Sequence, residues 1–155
     1  MLIVNKPGDI TTWNLLTLRE CSNLSVINQL APANRLDLLT SGLVAFVVRR
    51  ADVHLNDKLY LCLVRHSTIA VRVRFSCWLE VKRGWKLCIS YFLERASFSS
   101  FQLLGAVLIT GRKHQLRRQL TSMSVQANER SWCLHSFRLR CTHLDFGCAL
   151  CGFIV

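Results

Sequence analysis

The residues best suited to chemistry lie in the stretch 34–43, where an arginine and a carboxylate stand two positions apart. Asp37 is the only acidic residue over positions 22–50. In extended chain, residues two apart share a face, so Arg35 and Asp37 should point the same way while Leu36 turns into the core. This arrangement can hold an ionised carboxylate at the mouth of a cleft.

The elements that must position this pair follow from hydrophobic periodicity. The continuous apolar run 43–49 predicts a central strand buried on both faces, and the alternation over 71–80 predicts a half-exposed strand. Strands are predicted at 1–4, 43–49, 59–64, 71–80, 87–93, 101–109 and 133–142, and helices from Thr11 or Thr12 to Cys21 and from Lys113 to Leu120. Strands outnumber helices, so we expect an α+β fold: a single domain on a largely antiparallel, mixed sheet with flanking short helices.

Charge favours a polyanionic partner. The chain has 155 residues with 20 Lys and Arg against 9 Asp and Glu, a net charge of +11, and a pI near 9.8. A basic protein with no role on nucleic acid is the plain alternative, but no acidic residue occurs over 95–128, where Arg95, Arg112, Lys113, Arg117 and Arg118 collect positive potential.

No uncharged apolar run approaches the ~20 residues needed to span a bilayer, so we expect no membrane partner. The N-terminus shows no signal or transit peptide pattern, and the eight cysteines are scattered. We therefore expect a cytoplasmic protein with reduced, largely buried thiols, an organelle being the alternative location.

Five segments occur in the order of the motifs of one enzyme family. They are Asn5-Lys6-Pro7, Asn34-Arg35-Leu36-Asp37-Leu38-Leu39-Thr40-Ser41-Gly42-Leu43, Lys58-Leu59-Tyr60, Thr110-Gly111-Arg112-Lys113-His114-Gln115-Leu116-Arg117 and Leu134-His135-Ser136-Phe137-Arg138-Leu139. Over residues 1 to 143 the chain resembles the RNA pseudouridine synthases of the RluA-like branch, which acts on ribosomal large-subunit and transfer RNA. The resemblance implies a catalytic domain at 1–145, followed by an apolar segment of unassigned role at 146–155.

The resemblance also implies a reaction. Uridine becomes pseudouridine when the N-glycosidic bond breaks, the uracil turns over and its C5 joins the sugar C1′, which requires no cofactor or metal. Asp37 would be the carboxylate beside the ribose, and Arg117 the cation that keeps it ionised. Tyr60 would stack on the flipped base and Arg35 would assist flipping.

RNA, either ribosomal or transfer RNA, is the partner that the resemblance implies, and a monomer is expected. The residues assigned to RNA binding with Arg35 are Lys58, Arg112, Lys113, His114 and Arg118. Such cations contact phosphates without reading sequence. For Arg117, a solvated position on a helix face is the alternative interpretation, and for Tyr60 a place in the core.

Departures from the family pattern keep other functions open. Asn34 replaces the usual histidine, a polar exchange that we expect to be tolerated, and the connection 49–58 is short. Residues 121–132 lack the usual Gly-Asp turn. A shortened or diverged, catalytically silent RNA-binding relative is therefore the alternative. A third hypothesis is a zinc-stabilised module with Cys141, His143, Cys148 and Cys151 as ligands, although buried thiols are the preferred interpretation.

Overall fold

The computed structural model describes residues 1–17, 29–48, 55–65, 72–123, 133–141 and 144–147. The strands are β1 Leu2–Lys6, β2 Ala31–Pro32, β3 Ser41–Val47, β4 Leu55–Arg65, β5 Arg72–Val81, β6 Gly84–Ser97, β7 Phe101–Leu108, β8 Cys133–Cys141 and β9 Leu144–Gly147. One α-helix, α1, spans Gln115–Ser122, and a 3-10 helix spans Trp13–Thr17. Two compact units result, Met1–Lys58 with His135–Val155, and Leu59–Leu134.

The first unit is built around β3. Strands β1 and β2 both pair with β3 in antiparallel fashion, β8 pairs with it in parallel, and β9 pairs with β8 antiparallel. Leu43, Ala45 and Leu139 form a buried cluster against which Ile3 and Ala33 pack. All residues from 43 to 47 are buried, as expected for a central apolar strand.

The second unit is an antiparallel sheet with one helix. Strand β7 pairs with β4 and with β6, and β6 pairs with β5. The exposed and covered residues of β5 alternate along most of the strand, as the sequence predicts for a half-exposed strand. On α1, the buried residues are Gln115, Leu116, Gln119 and Leu120. The core face of this helix therefore carries two amides beside two leucines.

The α+β class and the largely antiparallel, mixed sheet are confirmed. The helix predicted from Lys113 begins at Gln115 instead, because His114 has a positive φ of 53°, which is outside the helical region. In place of a helix from Thr11 or Thr12, the described part shows the 3-10 helix, whose Asn14 amide donates to the Thr11 hydroxyl at 3.3 Å. The remainder of that prediction, to Cys21, lies outside the described residues.

Strands β2 and β9 are absent from the sequence prediction. Two-residue β2 is too short for a periodicity signal, and β9 falls in a stretch with little alternation. The predicted boundary between 1–145 and 146–155 stays a prediction, since 148–155 are outside the described ranges. Within those ranges, no helix has the length and apolarity required to cross a membrane.

Candidate active site

The candidate carboxylate lies on the irregular segment between β2 and β3. Leu36 is buried, Arg35 is exposed and Asp37 is half-buried. The Thr40 amide donates to the Asp37 carbonyl at 3.0 Å, which closes a turn immediately before β3. The segment thus presents Arg35 and Asp37 outward while Leu36 anchors it.

Lys6 holds this segment through a hydrogen bond of its buried ammonium. Its side chain is fully buried, and its ammonium donates to the carbonyls of Pro7 at 2.8 Å, Ile10 at 2.7 Å and Leu38 at 3.0 Å. Burial lowers the pKa of Lys6, while the carboxylates of Asp9 and Asp37 act in the opposite direction. A buried cation therefore lies close enough to Asp37 to feel its charge. Lys6 belongs to the Asn5-Lys6-Pro7 motif, but nothing in its sequence context predicts this buried role.

Two neutral side chains complete the attachment. The Asn34 amide donates to the Leu43 carbonyl at 3.2 Å and accepts from the Ala45 amide at 2.8 Å. The Thr12 hydroxyl donates to the Leu36 carbonyl at 3.2 Å and accepts from the Leu36 amide at 3.1 Å. Asn34 thus ties the segment to β3, because its side-chain amide bonds one backbone acceptor and one backbone donor of that strand.

The segment ends where β3 meets β8. Ser41 Oγ lies 2.9 Å from His135 Nδ1, and burial lowers the pKa of His135. The next residue, Gly42, has a φ of +108°, and a Cβ at this position would collide with the backbone of Ser136. Only glycine fits here, which explains the Ser-Gly step of the motif physically.

The third motif segment is fixed by Gln115. Its Oε1 accepts from the Thr110 hydroxyl at 2.8 Å and from the Arg112 amide at 3.1 Å. Its Nε2 donates to the Ile89 carbonyl at 3.1 Å and to Ser90 Oγ at 2.9 Å. One buried amide thereby satisfies four groups and ties the turn before α1 to β6.

Gln119, one helical turn on, extends the same network. Ser90 Oγ donates to its Oε1 at 2.6 Å, and its Nε2 donates to the Cys88 carbonyl at 3.3 Å. Sequence analysis missed Gln119 because a polar residue at a core-facing helical position carries no pattern signal by itself. Its spacing of four from Gln115, on the same face, is the signal that could have found it.

The predicted RNA-binding residues 112–114 and 118 lie on the turn and helix that this network holds. Arg112, Lys113 and Arg118 are exposed, while His114 and Arg117 are half-buried. The Arg118 guanidinium donates to the Glu80 carbonyl at 2.8 Å. The buried amides therefore hold a turn and a helix start whose outer surface is basic.

Tyr60 and Lys58 lie on β4. Tyr60 is buried and stands opposite Ala106 of β7, and burial lowers the pKa of the half-buried Lys58. Asp37, Arg35 and Lys58 belong to the first unit, and Tyr60 and Arg112 to Arg118 to the second. Arg35 and Asp37 share one segment of the first unit and Arg112 to Arg118 share one segment of the second, whereas the Asp37–Arg117 ion pair and the stacking role of Tyr60 stay predictions.

The zinc hypothesis concerns residues that are mostly outside the described ranges. His143, Cys148 and Cys151 are not described, and the described residues contain no group of three or more metal-ligating side chains. Cys62, Cys77 and Cys88 are free thiols among the described residues, and burial raises the pKa of Cys62.

Comparison with known proteins identifies the class. Residues 1–122 match the family model of RNA pseudouridylate synthases. The chain belongs to this family, which acts on RNA and catalyses an isomerisation. The match includes the segments around Asp37, Tyr60 and Arg117. No curated protein sequence matches the chain.

Solved structures share the fold. Human RNA Pseudouridylate Synthase Domain Containing 1 superposes with a TM-score of 0.71 at 18% identity, over 96% of this chain and 79% of that one. Human RNA Pseudouridylate Synthase Domain Containing 4 gives 0.69 at 16% identity, over 95% and 84%. A chain of a Cbf5-Nop10-Gar1 complex gives 0.59 at 13% identity, over 88% and 48%.

Proposed function

We propose that this protein isomerises uridine to pseudouridine in structured ribosomal or transfer RNA, with Asp37 as the carboxylate that acts on the ribose. The family match over residues 1–122 carries the proposal. The half-buried position of Asp37, on a segment attached by Lys6, Thr12 and Asn34, supports it. A carboxylate on a fixed segment keeps its orientation toward a bound substrate.

In the proposed reaction, the uracil N1–C1′ bond breaks and a C5–C1′ bond forms. The hydrogen on C5 leaves as a proton and N1 gains one, so atoms and electrons balance without an oxidant or reductant. Asp37 must be ionised to act as nucleophile or base. We assign Arg117 as the cation that pairs with this carboxylate in its ionised form.

The target base must leave its stack before it reacts. An aromatic face in the pocket compensates for lost stacking by about 1–3 kcal/mol, and Tyr60 is assigned this role. Arg35, which is exposed beside Asp37, would occupy the space that the flipped nucleotide leaves. The exposed cations Arg112, Lys113 and Arg118 would bind phosphates, with Lys58 and His114 completing the RNA-binding set.

Tritium release from RNA labelled at uridine C5 tests the proposal, because forming the new carbon–carbon bond must expel that hydrogen. Asp37→Asn should reduce release to background while leaving RNA affinity unchanged or slightly higher, since a negative charge leaves a basic surface. Asp9→Asn is the matched control. Asp9 is the other carboxylate that acts on Lys6, and asparagine tolerates its φ of 63°.

Separate assays with labelled ribosomal and transfer RNA identify the substrate class. Folded wild-type protein that binds RNA but releases no tritium from either would overturn the enzyme proposal and support the silent RNA-binding alternative. Equal loss of release in Asp37→Asn and Asp9→Asn would argue against a specific role for Asp37.

Arg117→Met tests the proposed ion pair, with its helix neighbour Arg118→Met as the control. Arg117 is half-buried, whereas Arg118 is exposed and donates to the Glu80 carbonyl. We expect Arg117→Met to lower kcat by on the order of 10- to 100-fold, because the carboxylate loses its charged partner. Arg118→Met should alter RNA affinity only. A similar kcat for both variants would contradict the assignment.

A further inference from the structure

The β5–β6 hairpin displays large aromatic side chains on one face. Trp78 is 62% exposed, Trp85 63% and Tyr91 39%. Trp78 of β5 pairs with Leu87 of β6, and paired residues lie on the same face. Trp85 and Tyr91 are an even number of residues from Leu87, so they lie on that face too. From Trp85 to Tyr91 the strand advances about 20 Å, at roughly 3.4 Å per residue. The aromatic side chains therefore form an extended row.

The opposite face of the hairpin already holds the core. Cys88, Ser90 and Phe92 alternate with the exposed residues of β6 and are buried, and Ser90 bonds Gln119 of α1. The exposed aromatics are thus the solvent face of a sheet whose other side is packed. Two tryptophans exposed on one such face are unusual for a surface that contacts water alone.

Arginines accompany the aromatic row. The Arg74 guanidinium lies 5.9 Å from the centroid of the Tyr91 ring, and Arg72 is exposed two residues earlier on the same face. Arg95 lies across Gly105, where an added Cβ would be 3.0 Å from its Nε. Glu80, opposite Trp85, is the one carboxylate that the described residues place on this face. Positive charge therefore dominates.

We propose that this aromatic–basic face, defined as Trp78, Trp85, Tyr91, Arg72, Arg74 and Arg95, binds unpaired nucleotides of the RNA substrate. Bases stack on the aromatic rings and the arginines contact phosphates. Stacking accepts any base because every base has a π-face, and cations in the same row neutralise the backbone. The excess of cations favours RNA over a protein partner that would cover a mainly apolar patch. The inference rests on RNA being the substrate, as proposed above.

Binding of a fluorescent single-stranded oligouridine tests the face directly. The double variant Trp78→Ala, Trp85→Ala should bind at least tenfold more weakly, since each lost stack weakens binding. Trp13→Ala is the matched control, because Trp13 is 60% exposed but lies in the first unit. The double variant Trp78→Phe, Trp85→Phe should retain most of the affinity, because it keeps aromatic faces at both positions. Urea unfolding of each variant verifies the fold.

The salt dependence separates the two kinds of contact. Arg72→Gln with Arg74→Gln should flatten the slope of log affinity against log salt, whereas the tryptophan variants should leave that slope unchanged. Unchanged affinity in the alanine double variant, or an equal loss in Trp13→Ala, would overturn the proposal. A variant that binds RNA normally but alters self-association or binding to another protein would do the same and assign the face to a protein partner.

Tritium release distinguishes failure of this inference from failure of the proposed function. In the alanine double variant, KM for substrate RNA should rise while kcat is retained, because Asp37 is untouched. If the wild type releases tritium and the alanine double variant has an unchanged KM, the proposed RNA-binding face alone would be overturned. No wild-type release, together with weakened oligouridine binding in the variant, would overturn the isomerase proposal and leave the RNA-binding face supported.

Discussion

The segment that carries Asp37 and the turn that carries Arg112 to His114 are both irregular, yet different chemistry holds each in place. At the first, a buried ammonium, that of Lys6, donates to the Leu38 carbonyl of the segment and to two carbonyls of the loop after β1. The second is attached by a neutral amide, that of Gln115, which bonds two donors and two acceptors.

The difference has an electrostatic consequence. A buried cation fixes the chain close to the candidate carboxylate, and the charge of Asp37 acts to raise the pKa of Lys6 against the effect of burial. The amide of Gln115 fixes a turn that already carries several cations, where a further buried charge would add repulsion and desolvation cost. A buried cation therefore lies at the segment that carries the carboxylate, and a neutral amide lies at the turn that carries the cations.

Gly42→Ala should have the largest effect on the first segment. Alanine would need a positive φ and would also collide with the Ser136 backbone, so we expect a loss of about 3 kcal/mol or more in the free energy of unfolding. Gly84→Ala is the control, because Gly84 has a φ of +89° but open space around its Cβ position. Equal urea midpoints for both variants would show that crowding at β8 contributes nothing.

Lys6→Met should follow in size. The variant keeps an apolar side chain of similar length but removes the hydrogen bonds to the carbonyls of Pro7 and Ile10 and leaves that of Leu38 with the Asp9 amide, at an expected cost of about 2–3 kcal/mol. Tritium release should fall even under conditions where the variant is folded, because Asp37 loses a nearby cation. Lys86→Met, an exposed lysine of β6, is the control for charge removal. Release unchanged in folded Lys6→Met would reduce Lys6 to a structural role.

Gln115→Leu removes the hydrogen bonds that hold the turn before α1, and Gln119→Leu provides the comparison. Each should destabilise the protein by about 2 kcal/mol, since buried partners lose hydrogen bonds. Only Gln115 bonds the turn, through Thr110 and the Arg112 amide, so its replacement should weaken RNA binding further. Equal affinity for RNA in the two folded variants would show that the position of the turn does not depend on the Gln115 amide.

The sequence predicts the class of the fold and exposed cations such as Arg35 and Arg112, but not the buried polar side chains that hold their segments in place. Periodicity located β3 and β5 because their burial follows a regular pattern. It could not assign Lys6 or Gln119, because a buried polar side chain is explained only by the carbonyls and hydroxyls that tertiary folding brings to it. Similarly, the positive φ of His114, after which the helix begins, leaves no mark on residue spacing.

His135 offers the smallest and most selective test of the difference between the segments. Burial lowers the pKa of His135, so in acid the unfolded chain takes up this proton before the native protein does. Stability should therefore fall as pH drops below about 6.5, by at most about 1.4 kcal/mol per pH unit, until the native imidazole is also protonated. His135→Asn, which offers Ser41 a neutral amide, should remove this part of the slope.

The measurement is the urea midpoint of both proteins from pH 8 to pH 5, with the variant subtracted from the wild type to cancel other titrations. Because the Gln115 network consists of amides and hydroxyls, the amide hydrogens of the turn at 110–112 should keep their exchange protection over the range in which those around Ser41 lose it. A wild-type slope equal to that of His135→Asn would mean that the Ser41–His135 contact tolerates the charged imidazole.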